Sequence, residues 1–131
     1  FGATRGLYLG DPARHLSQVY RELAIEVPAE FASMPDHLTL ELELLALLLD
    51  AGNGEAARQL AADHLDWLDE YDAALADRAD IVAHNEALPS VSRRNLLDGI
   101  AFLRALAALA QRTVGEALAF ANAAEGEAVA V

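Results

Sequence analysis

The segment MPDHLTLELELLALLLD, residues 34–50, decides how this chain folds. Eight leucines lie between positions 38 and 49, and leucine is among the best helix formers. A helix that is apolar on nearly every side is buried on most sides. The segment therefore predicts a central helix in a bundle. A polar triplet, Pro35-Asp36-His37, precedes this helix, and two acids, Glu41 and Glu43, interrupt it.

The remainder of the 131-residue chain is also patterned as helices. Hydrophobic residues make up 54% of the sequence and aromatic residues only 6%, so the apolar content is mostly Ala and Leu. These residues favour helix, and no useful run alternates with the period of a strand. We therefore expect an all-α fold, a bundle of about four to six helices. We expect a single domain over residues 1–131, with a frayed tail over residues 123–131.

Capping residues and glycines predict where the first two helices begin and end. The first helix is expected from Asp11 to about Ile25, with proline in its first turn. Ser33 or Asp36 is the expected N-cap of the second helix, which has Pro35 in its first turn. The sequence DAGNG, residues 50–54, predicts the end of that helix.

Two further helices are predicted in the second half of the chain. Asn53 is expected to cap a third helix that runs from about Gly54 to Leu75. A long final helix is expected to begin at Ser90 or Ser92. Its predicted apolar stripe consists of residues at helical spacing: Leu96, Ile100, Leu103, Ala107, Ala110 and Val114.

Charge and composition exclude several classes of function. The formal net charge is −12, and all nine basic residues are arginine, so we expect no nucleic-acid partner. The longest apolar run lies between Asp36 and Asp50, which is too short to cross a bilayer, and we expect no stable membrane insertion. Cysteine is absent, which rules out disulfides and thiolate metal sites and fits a reducing compartment.

The polar residues in the apolar helices have both a structural and a functional interpretation. His37 lies four residues before Glu41, and His64 lies in an apolar stripe beside Trp67. A satisfied polar cluster between two helices explains these residues, while Asp36 is explained as a helix cap and Trp67 as core.

Metal and catalytic sites are not indicated by the sequence. His37, Glu41 and His64 are zinc-type ligands, but the Glu-x-x-His pairs of a di-iron bundle are missing. Phosphate-binding glycine loops and a nucleophile elbow are also missing. We therefore expect no metal, no cofactor and no enzymatic activity.

Two motifs in order resemble the TorD/DmsD family of chaperones for molybdenum enzymes, to which NarJ-type proteins are related. The first is Pro-Asp-His-Leu followed by Glu-Leu and an apolar run, here residues 35–42. The second is the His-Leu-x-x-Trp element of the family, matched here by His64, Leu65 and Trp67, with one residue fewer before the tryptophan. The sequences LYLGDP, VYREL and GIAFLRALAALAQ are also similar to pieces of that family, so the resemblance extends over nearly the whole chain.

The resemblance implies a cytoplasmic, all-helical, non-enzymatic chaperone. Such proteins bind the twin-arginine leader and the body of a molybdoenzyme precursor, and they assist cofactor insertion before export. The residues that match the family motifs are the expected peptide-binding residues: Pro35, Asp36, His37, Glu41, His64 and Trp67. The family has more N-terminal helices than fit before Tyr8, so we expect a bundle that lacks them.

Three hypotheses remain open from the sequence. The first is the leader-binding chaperone, either as a monomer or as a domain-swapped homodimer. The second is a helical scaffold or dimerisation domain without a leader ligand. The third is a small metal- or nucleotide-binding enzyme. The sequence does not name the client oxidoreductase.

Overall fold

The computed structural model describes residues 10–130. Five α-helices and one short 3₁₀ helix, Ala29–Phe31, make up this part of the chain. The α-helices are α1 (Asp11–Glu22), α2 (Leu38–Asp50), α3 (Gly54–His64), α4 (Trp67–Ala83) and α5 (Ser90–Val129). No strand occurs between residues 10 and 130. The predicted all-α class is confirmed, and the number of helices lies within the predicted range.

The chain divides into two compact units, one ending at Leu65 and the other beginning at Asp66. The first unit contains α1, α2 and α3, and the second contains α4 and α5. The expectation of a single domain stays a prediction. Within residues 10–130, no helix combines the length and the apolar character that a membrane span requires.

The core of the first unit is built from one face of each helix. The buried apolar residues lie at helical spacing: Ala13, Leu16 and Tyr20 on α1, Leu40, Leu44 and Leu45 on α2, and Ala57 and Leu60 on α3. The prediction that α2 is buried on most sides was wrong, because the side chain of Leu47 is 53% exposed. Leucine on every face reflects helix propensity as well as burial.

α1 ends three residues earlier than predicted because the backbone turns back at Ala24. Ala24 has φ +54°, a left-handed conformation that costs a residue with a Cβ about 1 kcal/mol or more. The amide of Ile25 donates to the carbonyl of Tyr20 at 2.8 Å, which closes the end of the helix.

The other end of α2 follows the sequence prediction. Gly52 adopts φ +72°, and its amide donates to the carbonyl of Leu49 at 3.0 Å. The side-chain oxygen of Asn53 accepts a hydrogen bond from the amide of Ala56 at 3.2 Å. The glycine stop and the asparagine cap of α3 are therefore confirmed.

The third helix is not continuous, which corrects the prediction of one helix from Gly54 to Leu75. The backbone leaves helical geometry at Leu65, where φ is −113°, and α4 begins two residues later. Leu65 is itself buried, so the break places an apolar side chain inside that a straight helix would have directed elsewhere. Aspartate at positions 63 and 66 weakens helix propensity on both sides.

The second unit is an antiparallel helical hairpin. Arg104 on α5 donates two hydrogen bonds to Asp72 on α4, from Nε at 2.7 Å and from Nη2 at 3.1 Å. This contact lowers the pKa of Asp72, because the guanidinium stabilises the carboxylate. Asp69, earlier in α4, accepts a hydrogen bond from Gln111, later in α5. The order of these contacts shows that the two helices run in opposite directions.

The buried face of α5 differs in part from the predicted stripe. Ile100 and Ala107 are buried as expected, but Leu96 and Leu103 are 48% and 39% exposed. α5 begins at Ser90, as predicted, and it continues through the segment expected to fray as far as Val129. That segment is rich in alanine and glutamate, which propagate a helix well.

Candidate functional site

Four of the predicted site residues cluster where the chain enters α2, next to Tyr20 of α1. We call this cluster the collar and define it as Tyr20, Pro35, Asp36, His37 and Glu41. Pro35 and Glu41 are buried, whereas Asp36 and His37 are exposed. The collar therefore combines buried polar atoms with an acid and an imidazole that face solvent.

His37 is the N-cap of α2, which corrects the expectation that Ser33 or Asp36 fills this position. Its backbone is extended, with φ −70° and ψ 134°, and its Nδ1 accepts a hydrogen bond from the amide of Thr39 at 3.3 Å. The ring of Phe31 lies 5.0 Å from the His37 ring, at 46°. The cap and the ring contact together fix the imidazole at the mouth of the helix.

Pro35 does not occupy the first turn of α2, because it packs against α1 instead. The hydroxyl of Tyr20 donates to the carbonyl oxygen of Pro35 at 3.3 Å in a buried position. This bond satisfies a backbone oxygen that would otherwise be costly to bury. It also fastens the segment before α2 to the preceding helix.

The collar has a negative electrostatic environment. Burial, together with smaller contributions from the negative charges of Glu41, Asp36 and Glu43, raises the pKa of Tyr20 to about 12. The Glu41 side chain is only 2% exposed, so its charge is poorly screened by water. The same field that disfavours a tyrosinate favours a cation at the exposed side of the collar.

His64 lies at a cavity between the three helices of the first unit. Its Nε2 is 2.8 Å from Nδ1 of His15 on α1, and the two rings are stacked with centroids 5.0 Å apart. The cavity measures about 260 Å³, and its apolar lining includes Val19, Leu44 and Leu48. The other lining residues are His15, Glu22, Leu23, Asn53, Ala56, Gln59, Leu60, Asp63 and His64.

Trp67 belongs to the second unit, where it is the first residue of α4. Its ring meets the edge of the Tyr71 ring, with centroids 5.7 Å apart and an angle of 73°. It is half-buried, which fits the interpretation as core. Its role in peptide binding stays a prediction.

Two residues of the site were not predicted from the sequence. Neither Tyr20 nor His15 was singled out from the sequence as a site residue. Both contact residues that are far along the chain, and these contacts depend on how α1 packs. The only signal at position 15 is its helical spacing with Val19 and Glu22, which places all three on one face.

Residues 10–130 contain no group of three or more histidine, cysteine, aspartate or glutamate side chains that could hold a metal ion. The imidazoles of His15 and His64 use one nitrogen each for their mutual contact. The geometry favours a binding surface that recognises charge and apolar side chains.

Comparison with known proteins identifies the family of the chain. The sequence profile of the family described as nitrate reductase delta subunit matches residues 2–80. The chain belongs to this family. The matched range includes both motifs, residues 35–42 and 64–67, and ends within α4. No curated protein and no solved structure matches the chain.

The nitrate reductase delta subunit family consists of chaperones for the maturation of molybdenum enzymes. The resemblance to TorD, DmsD and NarJ-type proteins is therefore confirmed at the level of the family. The matched range covers α1, α2 and α3, which carry the collar and the cavity. α5 lies outside it.

Proposed function

We propose that this chain is a cytoplasmic, non-enzymatic chaperone that binds the twin-arginine leader of a molybdoenzyme precursor before export. The collar receives the arginines, and the cavity at His64 receives an apolar side chain of the leader. The body of the precursor, into which the molybdenum cofactor is inserted, is the second part of the partner.

The observation that carries this proposal is the negative field at an exposed site. Asp36, Glu41 and Glu43 add to the effect of burial in raising the pKa of Tyr20, and Asp36 is open to solvent. A guanidinium group would gain charge-assisted hydrogen bonds from a carboxylate there. A peptide with two consecutive arginines complements a site with several acids better than a neutral peptide does.

The position of the cavity supports the second part of the proposal. Glu41, Leu44 and Leu48 follow one another along one face of α2 at spacings of three and four residues. Leu44 and Leu48 line the cavity, so α2 connects the collar with the cavity, although Glu41 and Leu44 are themselves buried. A leader that places arginines at the collar can direct a following apolar residue towards the cavity, as in recognition of a helix in a groove.

A peptide-binding experiment tests the collar. A labelled peptide with two arginines and an apolar segment is titrated with the full chain, and binding is followed by fluorescence anisotropy. We expect Asp36→Ala, and Asp36→Ala combined with His37→Asn, to weaken binding at least tenfold, about 1.4 kcal/mol. Asparagine is used at position 37 because it can still cap α2.

Asp50→Ala is the matched control, because Asp50 is an exposed acid at the opposite end of α2. It changes the net charge by the same amount and should leave the affinity nearly unchanged. If the collar variants fold and bind the peptide as tightly as the Asp50 variant does, the collar is not the arginine site. If no leader peptide binds the unmodified chain, the leader-binding function itself is wrong.

A further inference from the structure

The exposed face of α5 is unusually apolar. Five large side chains form what we call the outer stripe, and Phe102 and Phe120 are the most prominent, at 64% and 79% exposed. The other three members are Val91, Leu106 and Leu109. Phe102 and Phe120 are 18 residues apart, which is five helical turns, so both rings leave the helix on the same side.

The outer stripe lies opposite the face of α5 that packs in the hairpin. Ile100 and Ala107 are buried, and they are about half a turn away from the stripe. α4 has 17 residues and α5 has 40, so α4 accompanies less than half of α5. α4 cannot cover both faces, and large exposed apolar side chains concentrated on one face of a helix mark an interaction site.

The charge of α5 indicates what kind of partner fits. The helix contains four arginines and four acids and is therefore neutral, whereas the whole chain carries −12. A strongly cationic or anionic partner finds no excess of opposite charge on this helix. The α5 helix of a second copy, by contrast, meets no net charge repulsion along this helix. The remaining acidic surfaces of the two copies do repel one another.

The distribution of these charges indicates the direction of pairing. Five charged residues lie on the side of the outer stripe: Arg94 and Asp98 in the first half of α5, and Arg112, Glu116 and Glu127 in the second. Arg93 and Arg104 lie on the packed face, where Arg104 is bound to Asp72. Parallel pairing places each charge of the stripe side opposite its own copy, whereas antiparallel pairing brings the Arg94 end of one helix to the Glu127 end of the other.

We propose that the outer stripe is a homodimer interface in which two copies of α5 pack antiparallel. Phe102 of one copy packs against Phe120 of the other, and this contact occurs twice. Leu106 and Leu109 lie at the centre, on both sides of a two-fold axis that passes near residue 111. In this register Arg94 of each copy comes within reach of Glu127 of the other. No element is exchanged, so the assembly differs from a domain swap.

The oligomeric state of the full chain tests the interface. One copy has a mass of 14.0 kDa, and sedimentation equilibrium should show twice that mass at micromolar concentrations. We expect Phe102→Asp with Phe120→Asp to raise the dimer dissociation constant at least tenfold, because buried aspartate must be desolvated. Ile81→Asp is the control, because Ile81 is 58% exposed on α4 and lies outside the stripe.

A charge exchange tests the same interface without changing an apolar residue. Arg94→Glu and Glu127→Arg should each weaken the dimer, since each places like charges opposite one another. The two substitutions combined in one chain should restore the original dissociation constant. Circular dichroism shows that each variant keeps its helix content.

Cysteine cross-linking tests the direction of pairing, because the natural chain contains no cysteine. Phe102→Cys and Phe120→Cys chains should form a disulfide when mixed under oxidation. Neither should cross-link alone, since identical positions are about 27 Å apart along the antiparallel helices. Cross-linking of the separate variants would show parallel pairing and overturn the proposal. A chain that stays monomeric, or a dimer that is as stable with aspartate at 102 and 120, would overturn it too.

Discussion

Tyr20 joins two roles in a single side chain. Its ring is part of the core of the first unit, and its hydroxyl satisfies the carbonyl oxygen of Pro35. Burial of the hydroxyl, with a smaller contribution from three acids, raises its pKa from 10 to about 12. The residue therefore responds to the electrostatic field of the collar as well as to its own burial.

The first prediction concerns the alkaline stability of the chain. The folded state has the higher pKa, so the contribution of neutral Tyr20 is complete below pH 10 and is lost as the pH rises towards about 12. Tyr20→Phe should cost about 1 kcal/mol near neutral pH, because a buried carbonyl loses its donor. The difference between the two proteins should shrink above pH 10, as measured by urea denaturation.

Glu41→Gln provides the control for the cause of this shift. It preserves the shape of the side chain and removes its charge, so the pKa of Tyr20 should fall but stay above 10, because burial is the larger cause. The pKa is measured from tyrosinate absorbance against pH, after subtraction of the absorbance of the matching chain that carries Tyr20→Phe. An unchanged pKa in Glu41→Gln would contradict the negative field on which the collar hypothesis depends.

At the level of helices and turns, some local signals were read correctly from the sequence, the N-cap of α2 was not, and tertiary contacts were missed. Gly52 and Asn53 act within a few residues of themselves, and both were predicted. The segment before α2 is fastened by Tyr20, which is 15 residues from Pro35, and no local pattern records that contact. The break at Leu65 was missed because the apolar stripe keeps helical spacing across it.

The candidate site follows the same rule. Pro35, Asp36 and His37 were found because they form one contiguous motif, and that motif could be compared with a family. His15 and Tyr20 carry no motif, and their importance depends on which residues of α2 and α3 they meet. Periodicity places a residue on a face of a helix but does not identify its neighbour.

Opposite substitutions at two turn positions should change the stability of the chain in opposite directions. Ala24 and Gly52 both adopt positive φ, but only one of them is glycine. Ala24→Gly should stabilise the chain by about 0.5–1 kcal/mol, because it removes the left-handed penalty at a small entropic cost. Gly52→Ala should destabilise it by about 1 kcal/mol or more, although no atom would contact the new methyl group. Urea denaturation measures both values.

Ala46→Gly is the control for the substitution itself, since Ala46 is exposed in the interior of α2. The same chemical change should there cost about 1 kcal/mol. Equal effects at positions 24 and 46 would show that Ala24 does not hold a left-handed conformation in solution.

At the scale of the whole molecule, charge is divided unevenly. Residues 10–65 contain ten acids and three arginines, a net charge of −7, while α5 is neutral. The unit that carries the collar and cavity is therefore suited to a cationic peptide, and α5 is suited to a neutral partner. The two proposals use different surfaces and can fail independently.

Association with a leader peptide should depend strongly on ionic strength. Opposite net charges accelerate encounter, and salt screens this attraction, so the association rate should fall severalfold when sodium chloride is raised from about 0.05 to 0.3 M. Stopped-flow fluorescence measures the rate. A peptide with glutamine in place of both arginines is the control and should show a much smaller salt effect. An equal salt effect for both peptides would show that the arginines do not guide binding.

The break between α3 and α4 gives the chain a natural optical probe. Its single tryptophan, Trp67, is the first residue of α4, while the collar and cavity belong to the unit before it. Indole emission therefore responds to the surroundings of the first turn of α4. A leader that changes this emission alters those surroundings on binding, and its binding can then be followed without an added label.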